Sequence, residues 1–301
     1  MARGHLAPRP HAGIRAHPGV TPQQYVDQRT ARSGSSFYYA FLFVPPPRRR
    51  ALIAYYALCR EIDDIVDEDH DPAVAATKLA WWRREVAAMF TGLPSHPVAQ
   101  ALAPHCAELG IEAHHLTAVI DGCQMDLEQT RYLDFAGLER YCNLVAGSVG
   151  VVTAHVLGFR QAQTLDYAQQ LGIALQLINI IRDVGDDARR GRIYLPLDEL
   201  KRFGVQPAEI LARQAPWGYS DRFSALMRFQ AERARQRFER ALALLPEADR
   251  TSQLPGLMMA NMYRALLHEI EADDFRVLHQ GISLTPLRKL WIGLATHWRG
   301  R

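Results

Sequence analysis

Apolar residues recur with helical spacing along nearly the whole chain from Thr21 onward, and this pattern constrains the fold more than any other feature. The predicted helices end close to proline or glycine, as at residues 45–47, 92–97 and 191–196. No segment alternates polar and apolar residues clearly enough to predict a strand. We therefore predict an all-α protein. Its helices are expected at residues 48–69, 73–90, 96–109, 112–129, 135–157, 163–188, 218–245 and 255–279, with shorter ones at 22–31, 197–202 and 207–213.

The breaks between these helices are short, which favours one helical domain over residues 21–284. Residues 1–20 are expected to form a flexible N-terminal extension, since they are rich in Arg, Pro, Gly and His and lack the apolar core of a signal peptide. Residues 285–301 form a basic amphipathic C-terminal tail, which either packs back on the bundle or makes peripheral contact with a membrane. No stretch approaches the roughly 20 apolar residues that span a bilayer.

Charge and cysteine content exclude some classes of function. The net charge of +3 is too small to indicate a nucleic-acid partner. The four cysteines have no C-x-x-C spacing and lie in apolar helical segments, where a free thiol behaves as a small hydrophobe. A cytoplasmic location fits these features, and the tail adds the alternative of the inner membrane face.

Two predicted helices carry a stripe of acidic and amide side chains. In residues 56–67 (YALCREIDDIVD), Asp63 and Asp67 are four apart and therefore lie on one helix face. In residues 176–187 (QLINIIRDVGDD), a second stripe follows spacings of three, four and four. This second stripe comprises Gln176, Asn179, Asp183 and Asp187.

These stripes predict a cation site. Like charges four apart repel, and the flanking isoleucines indicate burial, which makes unpaired carboxylates costlier. A single cluster is more simply explained as a solvated helix face. Two clusters, each with an arginine (Arg60 and Arg182) suited to phosphate, favour a functional site. Oxygen ligands without His or Cys indicate Mg²⁺, which commonly binds one or two carboxylates together with substrate phosphates.

These two segments resemble the motifs of the squalene/phytoene synthase family, which joins two prenyl diphosphates head to head. Further similar segments are residues 125–127 (MDL), 141–150 (YCNLVAGSVG) and 192–196 (RIYLP), in the expected order. Residues 33–41 (SGSSFYYAF) and 48–50 (RRR) are most similar to presqualene diphosphate synthases of bacterial hopanoid pathways. The resemblance implies a single-domain isoprenoid-synthase-type helical bundle with a central active-site cavity.

The resemblance also implies a role for individual residues. Mg²⁺ would be held by Asp63, Asp67, Asn179, Asp183 and Asp187. Diphosphate oxygens would be contacted by Arg60, Arg182 and Ser36, and the reacting centre would be lined by Gln176, Tyr141 and Tyr194. Gly34 stands where some carotenoid-type relatives place a diphosphate-binding serine.

An allylic cation must be shielded from water, so we expect an apolar wall with aromatic and small side chains. The candidates for this substrate-binding wall are Phe37, Phe41, Tyr56, Tyr141, Ala146, Gly147 and Val151. Asp126 either takes part in catalysis or supports Arg131.

The function implied by the resemblance is the 1'-2-3 condensation of two farnesyl diphosphates to presqualene diphosphate. A downstream squalene-forming enzyme would be the partner of such a synthase. One alternative is a phytoene or dehydrosqualene synthase with the same site. A second is a non-catalytic relative that acts in binding or assembly, although both acidic motifs are intact.

Overall fold

The structure is a computed structural model of the chain, and it describes residues 20–31, 36–68, 71–212 and 219–299. Within these ranges every regular element is helical. The only β-bridge in the described residues is an isolated one between Arg131 and Ile193. The helices are α1 (Pro22–Ala31), α2 (Ser36–Phe41), α3 (Pro46–Glu68), α4 (Pro72–Thr91), α5 (Pro97–Leu109), α6 (Ala113–Glu128), α7 (Phe135–Cys142), α8 (Ser148–Leu157), α9 (Gln163–Arg189), α10 (Leu197–Arg202), α11 (Pro207–Leu211), α12 (Asp221–Ala243), α13 (Leu254–Ala272) and α14 (Pro286–Arg299). The prediction of an all-α fold is confirmed.

Local sequence signals account for several helix ends. Asp71 caps α4 by accepting a hydrogen bond from the Ala73 amide, and Pro72 occupies the first turn, where no amide donor is needed. Gly92 ends α4 in the left-handed conformation, with φ of 83°. Such signals explain why the predicted boundaries of the long helices lie within a few residues of the observed ones.

Two predicted helices have different boundaries in the structure, and one helix was not predicted. The helix expected at 135–157 is divided into α7, a π-helical turn (Asn143–Gly147) and α8. The helix expected at 255–279 ends at Ala272, because Asp274 and Phe275 adopt positive φ values of 50° and 57°. Helix α2 was not predicted, and the C-terminal tail contains the ordered helix α14. The proposed extension at 1–20 lies outside the described residues except for its last position.

The buried side chains form two hydrophobic clusters. The first is built mainly from α7, α9, α12 and α13, and the second mainly from α1 and α3 to α6. Helix α8 lies between them, since Ala154 belongs to the first cluster while Val152 and Val156 belong to the second. The bundle therefore has two cores.

Helix α9 approaches the π-helical turn and α8 very closely. A Cβ on Gly172 would lie 2.2 Å from the Ala146 carbonyl oxygen, and one on Gly150 would lie 2.0 Å from the Ala168 carbonyl oxygen. Both distances are below any ordinary contact, so glycine is required at these positions. This close packing fixes the second acidic stripe relative to the wall formed by α8.

A buried carboxylate fixes the amino-terminal ends of α9 and α13. Asp249, only 1% exposed, accepts hydrogen bonds from the Arg160 amide (2.7 Å), the Gln161 amide (3.0 Å) and the Thr164 hydroxyl (2.6 Å). The Gln253 side chain in turn donates to the Gly158 carbonyl at 2.9 Å. These bonds hold together the two helices that close one end of the central cavity.

Candidate active site

A cavity of about 250 Å³ lies between the two cores. Most of its wall is apolar or aromatic, whereas Arg60, Asp63, Gln176 and Asn179 gather polar groups at one end. Residues from α2, α3, α6, α7, the π-helical turn, α8, α9 and α13, together with the residue just before α13, contribute to the wall. They include Phe37, Phe41, Leu52, Tyr55, Tyr56, Cys59, Cys123, Tyr141, Val145, Ala146, Val149, Gly150, Tyr167, Ala168, Leu171, Gly172, Gln253, Gly256, Met259 and Tyr263.

The first acidic stripe enters the cavity from α3. Arg60 donates to Asp63 at 2.7 Å and also pairs with Asp64. Asp64 is held in addition by Arg29 of α1, and Arg29 contacts Glu61 at 2.9 Å. Asp64 and Glu61 are therefore committed to packing α1 on α3, while Asp63 borders the cavity.

Asp67 lies one turn beyond Asp63 and is held by two arginines from the segment after α9. Arg192 donates to the Asp67 carboxylate at 3.0 Å and to the Val66 carbonyl at 3.1 Å, and Arg190 lies 3.2 Å from the same carboxylate. Through these contacts, the segment that follows α9, the second acidic helix, packs against α3, the first acidic helix. The sequence placed Arg192 in a motif but gave it no role, and Arg190 was not identified.

The second stripe runs along α9 and divides into two parts. Gln176 and Asn179 border the cavity, and the Asn179 amide donates to the Gln176 side-chain oxygen at 3.2 Å. Arg182 and Asp183 form a bidentate pair, with 2.6 Å between Nε and Oδ1. Among the described residues, none forms an ion pair with Asp187. The two stripes thus end in a group of carboxylates that arginines neutralise only in part.

Carboxylate pKa values reflect this incomplete neutralisation. Burial, with repulsion from Asp183, raises the pKa of Asp187 to about 8. Desolvation by the surrounding protein, followed by repulsion from Asp67, raises the pKa of Asp63 to about 6. This side chain is still 47% exposed. Both carboxyl groups would be stabilised as anions by an added cation.

Asp126 is the centre of a tyrosine cluster beside the cavity. It accepts hydrogen bonds from the Tyr141 hydroxyl (2.9 Å) and the Tyr194 hydroxyl (2.8 Å). Burial raises the pKa of Asp126 to about 6, and it raises the pKa of both tyrosines well above their usual range. Arg131 instead donates to the carbonyls of Thr130 (2.6 Å) and Gly191 (2.7 Å). The contacts of Asp126 are therefore with the predicted reacting centre.

Aromatic rings cover the wall next to the acidic end. The Phe37 ring lies 6.0 Å from Phe41 and 5.9 Å from Tyr56, measured between centroids. Each ring can present a π-electron face or edge to the cavity. This places polarizable groups where a positive charge would need to be stabilised without water.

The donor set suits Mg²⁺. Asn179 Oδ1 is buried and has no hydrogen-bond partner among the described residues, and Asp187 is a half-buried carboxylate without an ion pair there. No three His, Cys, Asp or Glu side chains in the described ranges converge on one metal position. This arrangement fits a metal that completes its coordination with diphosphate oxygens and water, as Mg²⁺ commonly does.

The cavity wall includes seven of the predicted site residues: Phe37, Tyr56, Arg60, Asp63, Tyr141, Gln176 and Asn179. Five others do not border the cavity: Asp67, Arg182, Asp183, Asp187 and Tyr194. Gly147 and Val151 do not border the cavity, because Gly147 packs against Asn143 and Gln169 behind the wall. The side chain of Ser36 lies outside the described residues. The α13 wall, including Met259 and Tyr263, was missed because its apolar spacing is the same as that of any buried helix.

A sequence model of the squalene/phytoene synthase family matches residues 30–288. The chain belongs to the squalene/phytoene synthase family. It is 34% identical over 279 residues to the phytoene synthase of Arthrospira platensis, covering 87% of this chain and 88% of that protein. Identity to the phytoene synthase of Mycobacterium tuberculosis is 37% over 268 residues, covering 88% and 87%.

Solved structures agree with this family assignment. A dehydrosqualene synthase in complex with a ligand superimposes with a TM-score of 0.81 and 27% identity, covering 92% of this chain and 96% of that chain. A squalene synthase from Alicyclobacillus acidocaldarius shares the fold, with a TM-score of 0.74 and 24% identity over 84% of this chain and 94% of that chain. The predicted isoprenoid-synthase-type bundle is confirmed, and members of the family are prenyl-diphosphate transferases.

Proposed function

We propose that the protein condenses two farnesyl diphosphates head to head to presqualene diphosphate and pyrophosphate. The observation that carries this proposal is that both acidic stripes meet at one end of a single apolar cavity, represented on its wall by Asp63 and Asn179. Diphosphates bind at the polar end, and the prenyl chains occupy the apolar remainder. A squalene-forming enzyme would then use the product.

Loss of pyrophosphate from the first substrate requires neutralisation of the leaving group. Arg60, Arg182 and Arg192 lie among the carboxylates and can donate to diphosphate oxygens as charge develops on them. Mg²⁺ held by Asp63, Asp67, Asn179, Asp183 and Asp187 would supply further neutralisation of the diphosphate.

The rest of the reaction takes place on carbon. The C1–O bond of one substrate breaks, and the 2,3 double bond of the other attacks the resulting C1 cation. Loss of one proton then closes the cyclopropane ring. Phe37, Phe41 and Tyr56 form a wall that excludes water and stabilises positive charge.

Tyr141 is the side chain that we propose accepts this proton. It borders the cavity, and its hydroxyl donates to Asp126, so its oxygen can take up a proton while its own proton passes to the carboxylate. The raised pKa of Asp126, about 6, suits a group that receives a proton near neutrality. Released pyrophosphate is the alternative base.

The depth of the cavity supports a chain of three isoprene units. The wall runs along α9 from Asn179 to Tyr167, twelve residues or about 18 Å at the helical rise. Along α3 it runs from Asp63 to Leu52, about 16 Å. With carbon–carbon bonds of about 1.5 Å, three extended isoprene units span about 15 Å and four about 20 Å. The wall is therefore long enough for three units and too short for four.

The names of the relatives favour a second candidate. Phytoene synthases are 34–37% identical to this chain, and the superimposed structure with a TM-score of 0.81 is a dehydrosqualene synthase. A carotenoid-type enzyme would use the same site, with a different substrate length or a different fate of the cation.

Product analysis separates these candidates. Purified protein is incubated with Mg²⁺ and either farnesyl or geranylgeranyl diphosphate, with and without NADPH. Presqualene diphosphate from farnesyl diphosphate under both conditions is the expected result. Dehydrosqualene, or turnover of geranylgeranyl diphosphate alone, would contradict it in favour of the carotenoid branch. An absence of turnover with both substrates would favour the non-catalytic alternative.

A further inference from the structure

Helix α14 packs on the bundle through one face only. A Cβ on Gly293 would lie 3.1 Å from the Phe43 ring, so the helix backbone comes close to the segment after α2. The Thr296 hydroxyl accepts a hydrogen bond from Asn261 of α13 at 2.9 Å. These contacts fix the rotation of α14 about its own axis, and so fix which residues point away from the bundle.

The opposite face of α14 presents large apolar side chains to solvent. Leu287 is 80% exposed, Trp291 64% and Trp298 70%. They are separated by four and seven residues, so they form one stripe along the helix. We call these three residues the outer stripe. Three highly exposed apolar side chains on one helix face, two of them tryptophans, are typical of an interaction surface.

The segment that carries the outer stripe has charge of a single sign. Residues 286–301 contain four basic residues and no acidic one, whereas the other 285 residues contain 31 basic and 32 acidic residues. Arg288 is one of the four, and its contact with Glu269 at 2.7 Å balances part of its charge. The whole excess of positive charge in the chain is therefore carried by this C-terminal segment.

We propose that α14 binds the surface of a membrane that contains anionic lipids. Tryptophan side chains place their rings at the level of lipid head groups, and arginines beside them are attracted to anionic lipid. The described helices include none that is both long and apolar enough to cross a bilayer. The outer stripe would insert shallowly, with the helix axis parallel to the membrane plane.

A second copy of the chain is a poorer occupant of this surface. A two-fold interface would place the outer stripe against itself and would bring the same basic residues of two chains together. In that arrangement the basic residues of the two segments would repel each other, and neither segment contains an acidic residue to pair with them. An anionic bilayer supplies both an apolar layer and the opposite charge.

The position of α14 links this surface to the cavity. Helix α2 places Phe37 and Phe41 on the cavity wall, while Tyr39 of the same helix lies 5.7 Å from the Lys289 ammonium of α14. Leu42 and Tyr38, next to these residues, are 41% and 39% exposed. Membrane binding would thus hold one wall of the cavity close to lipid, whether or not the protein has the proposed function.

Vesicle flotation with the full-length protein tests the proposal. Vesicles of phosphatidylcholine alone are compared with vesicles that contain one-third phosphatidylglycerol. The test variant is Trp291→Ser with Trp298→Ser. The matched control, Leu93→Ser with Leu133→Ser, removes two side chains that are 81% and 77% exposed elsewhere on the surface.

We expect the wild type and the control to float with the anionic vesicles and the tryptophan variant to bind at least tenfold more weakly. Turnover of detergent-dispersed substrate should be equal in all three proteins. Equal flotation of the tryptophan variant would overturn the proposal, as would equal binding of the wild type to neutral vesicles. A wild-type dimer in sedimentation that the tryptophan variant abolishes, without vesicle binding, would overturn it in favour of self-association.

Discussion

Asp183 accepts two hydrogen bonds from Arg182 and lies between two other members of the second acidic stripe, Asn179 and Asp187. Asp183→Asn keeps the size of the side chain but removes its negative charge. We expect turnover to fall at least about 100-fold, the scale seen when one group that stabilises transition-state charge is removed. The helical circular dichroism spectrum should not change. Steady-state product formation measures the effect.

Asp186 supplies the control for this substitution on the same helix. Its side chain is 54% exposed and pairs with Arg189 on the outer surface. Asp186→Asn should therefore keep turnover within about twofold, since exposed ion pairs contribute little. Retained activity in Asp183→Asn, or equal losses in both variants, would contradict the role of Asp183.

Tyr167 closes the end of the cavity opposite the carboxylates. The residue is 1% exposed, and its hydroxyl has no hydrogen-bond partner among the described residues. A Cβ on Gly256 of α13 would lie 2.9 Å from that hydroxyl, so the ring fills the gap between α9 and α13. If the protein has the proposed function, the size of this ring would limit how far a prenyl chain can extend.

Tyr167→Ala is expected to lengthen the cavity. The ratio of kcat/KM for geranylgeranyl over farnesyl diphosphate should rise at least about tenfold, since each methylene contact is worth about 1–3 kcal/mol. Tyr167→Phe removes only the hydroxyl, which has no partner in the described part of the chain. It should leave the ratio unchanged and the melting temperature unchanged or slightly higher. An unchanged ratio in a folded Tyr167→Ala protein would mean that another residue limits chain length.

At the scale of elements, the contact of α9 with the π-helical turn determines how the second acidic stripe is placed. Gly172→Ala would put a methyl group 2.2 Å from the Ala146 carbonyl oxygen, which forces the two elements apart. We expect a loss of about 2–3 kcal/mol in the free energy of unfolding. Urea denaturation measures it.

Gly281→Ala is the matched control, because among the described residues no atom beyond its two chain neighbours lies within 4 Å of a Cβ at that position. Its stability should remain within about 0.5 kcal/mol of the wild type. If Gly172→Ala is equally well tolerated, the α9 contact is looser than the structure describes.

The long helices were predictable because their signals are local. The apolar spacing and the prolines and glycines at their ends place α3 and α9 to within two residues of the predicted 48–69 and 163–188. The division of residues 135–157 depends on how that segment packs against α9, which periodicity does not reveal. The early end of α13 depends on the conformation of Asp274 and Phe275, two residues that rarely adopt positive φ.

The candidate site was predictable to a similar extent. The carboxylates follow from spacing on one helix, whereas the arginines that hold Asp67 come from a different segment and required the tertiary structure. Asp126 shows the same limit: the sequence left two roles open, and its contacts with Tyr141 and Tyr194 became visible only in the folded chain. Long-range pairing is what a single sequence does not reveal.

At the scale of the whole molecule, the cavity separates two hydrophobic cores. A ligand that fills it contacts α3 from one core and α9 from the other, so binding should stabilise the entire fold. We expect a non-reactive farnesyl thiodiphosphate with Mg²⁺ to add about 2.7 kcal/mol at one hundred times its Kd. Melting temperatures measured with the analogue, Mg²⁺ and EDTA in turn test this.

The analogue without Mg²⁺ is the control, and inorganic pyrophosphate with Mg²⁺ separates the contribution of the polar end from that of the prenyl chain. Stabilisation by the analogue that EDTA does not reduce would contradict the assignment of the carboxylates to a metal.

The small side chains of the cavity wall have a consequence for the evolution and engineering of this protein. Ala146 and Ala168 border space that a larger apolar residue would fill, and filling a cavity increases stability. On the proposed function, the same change would exclude the prenyl chain. Selection for heat resistance alone should therefore enrich inactive variants at these positions, so a directed-evolution campaign needs a screen for product in every round.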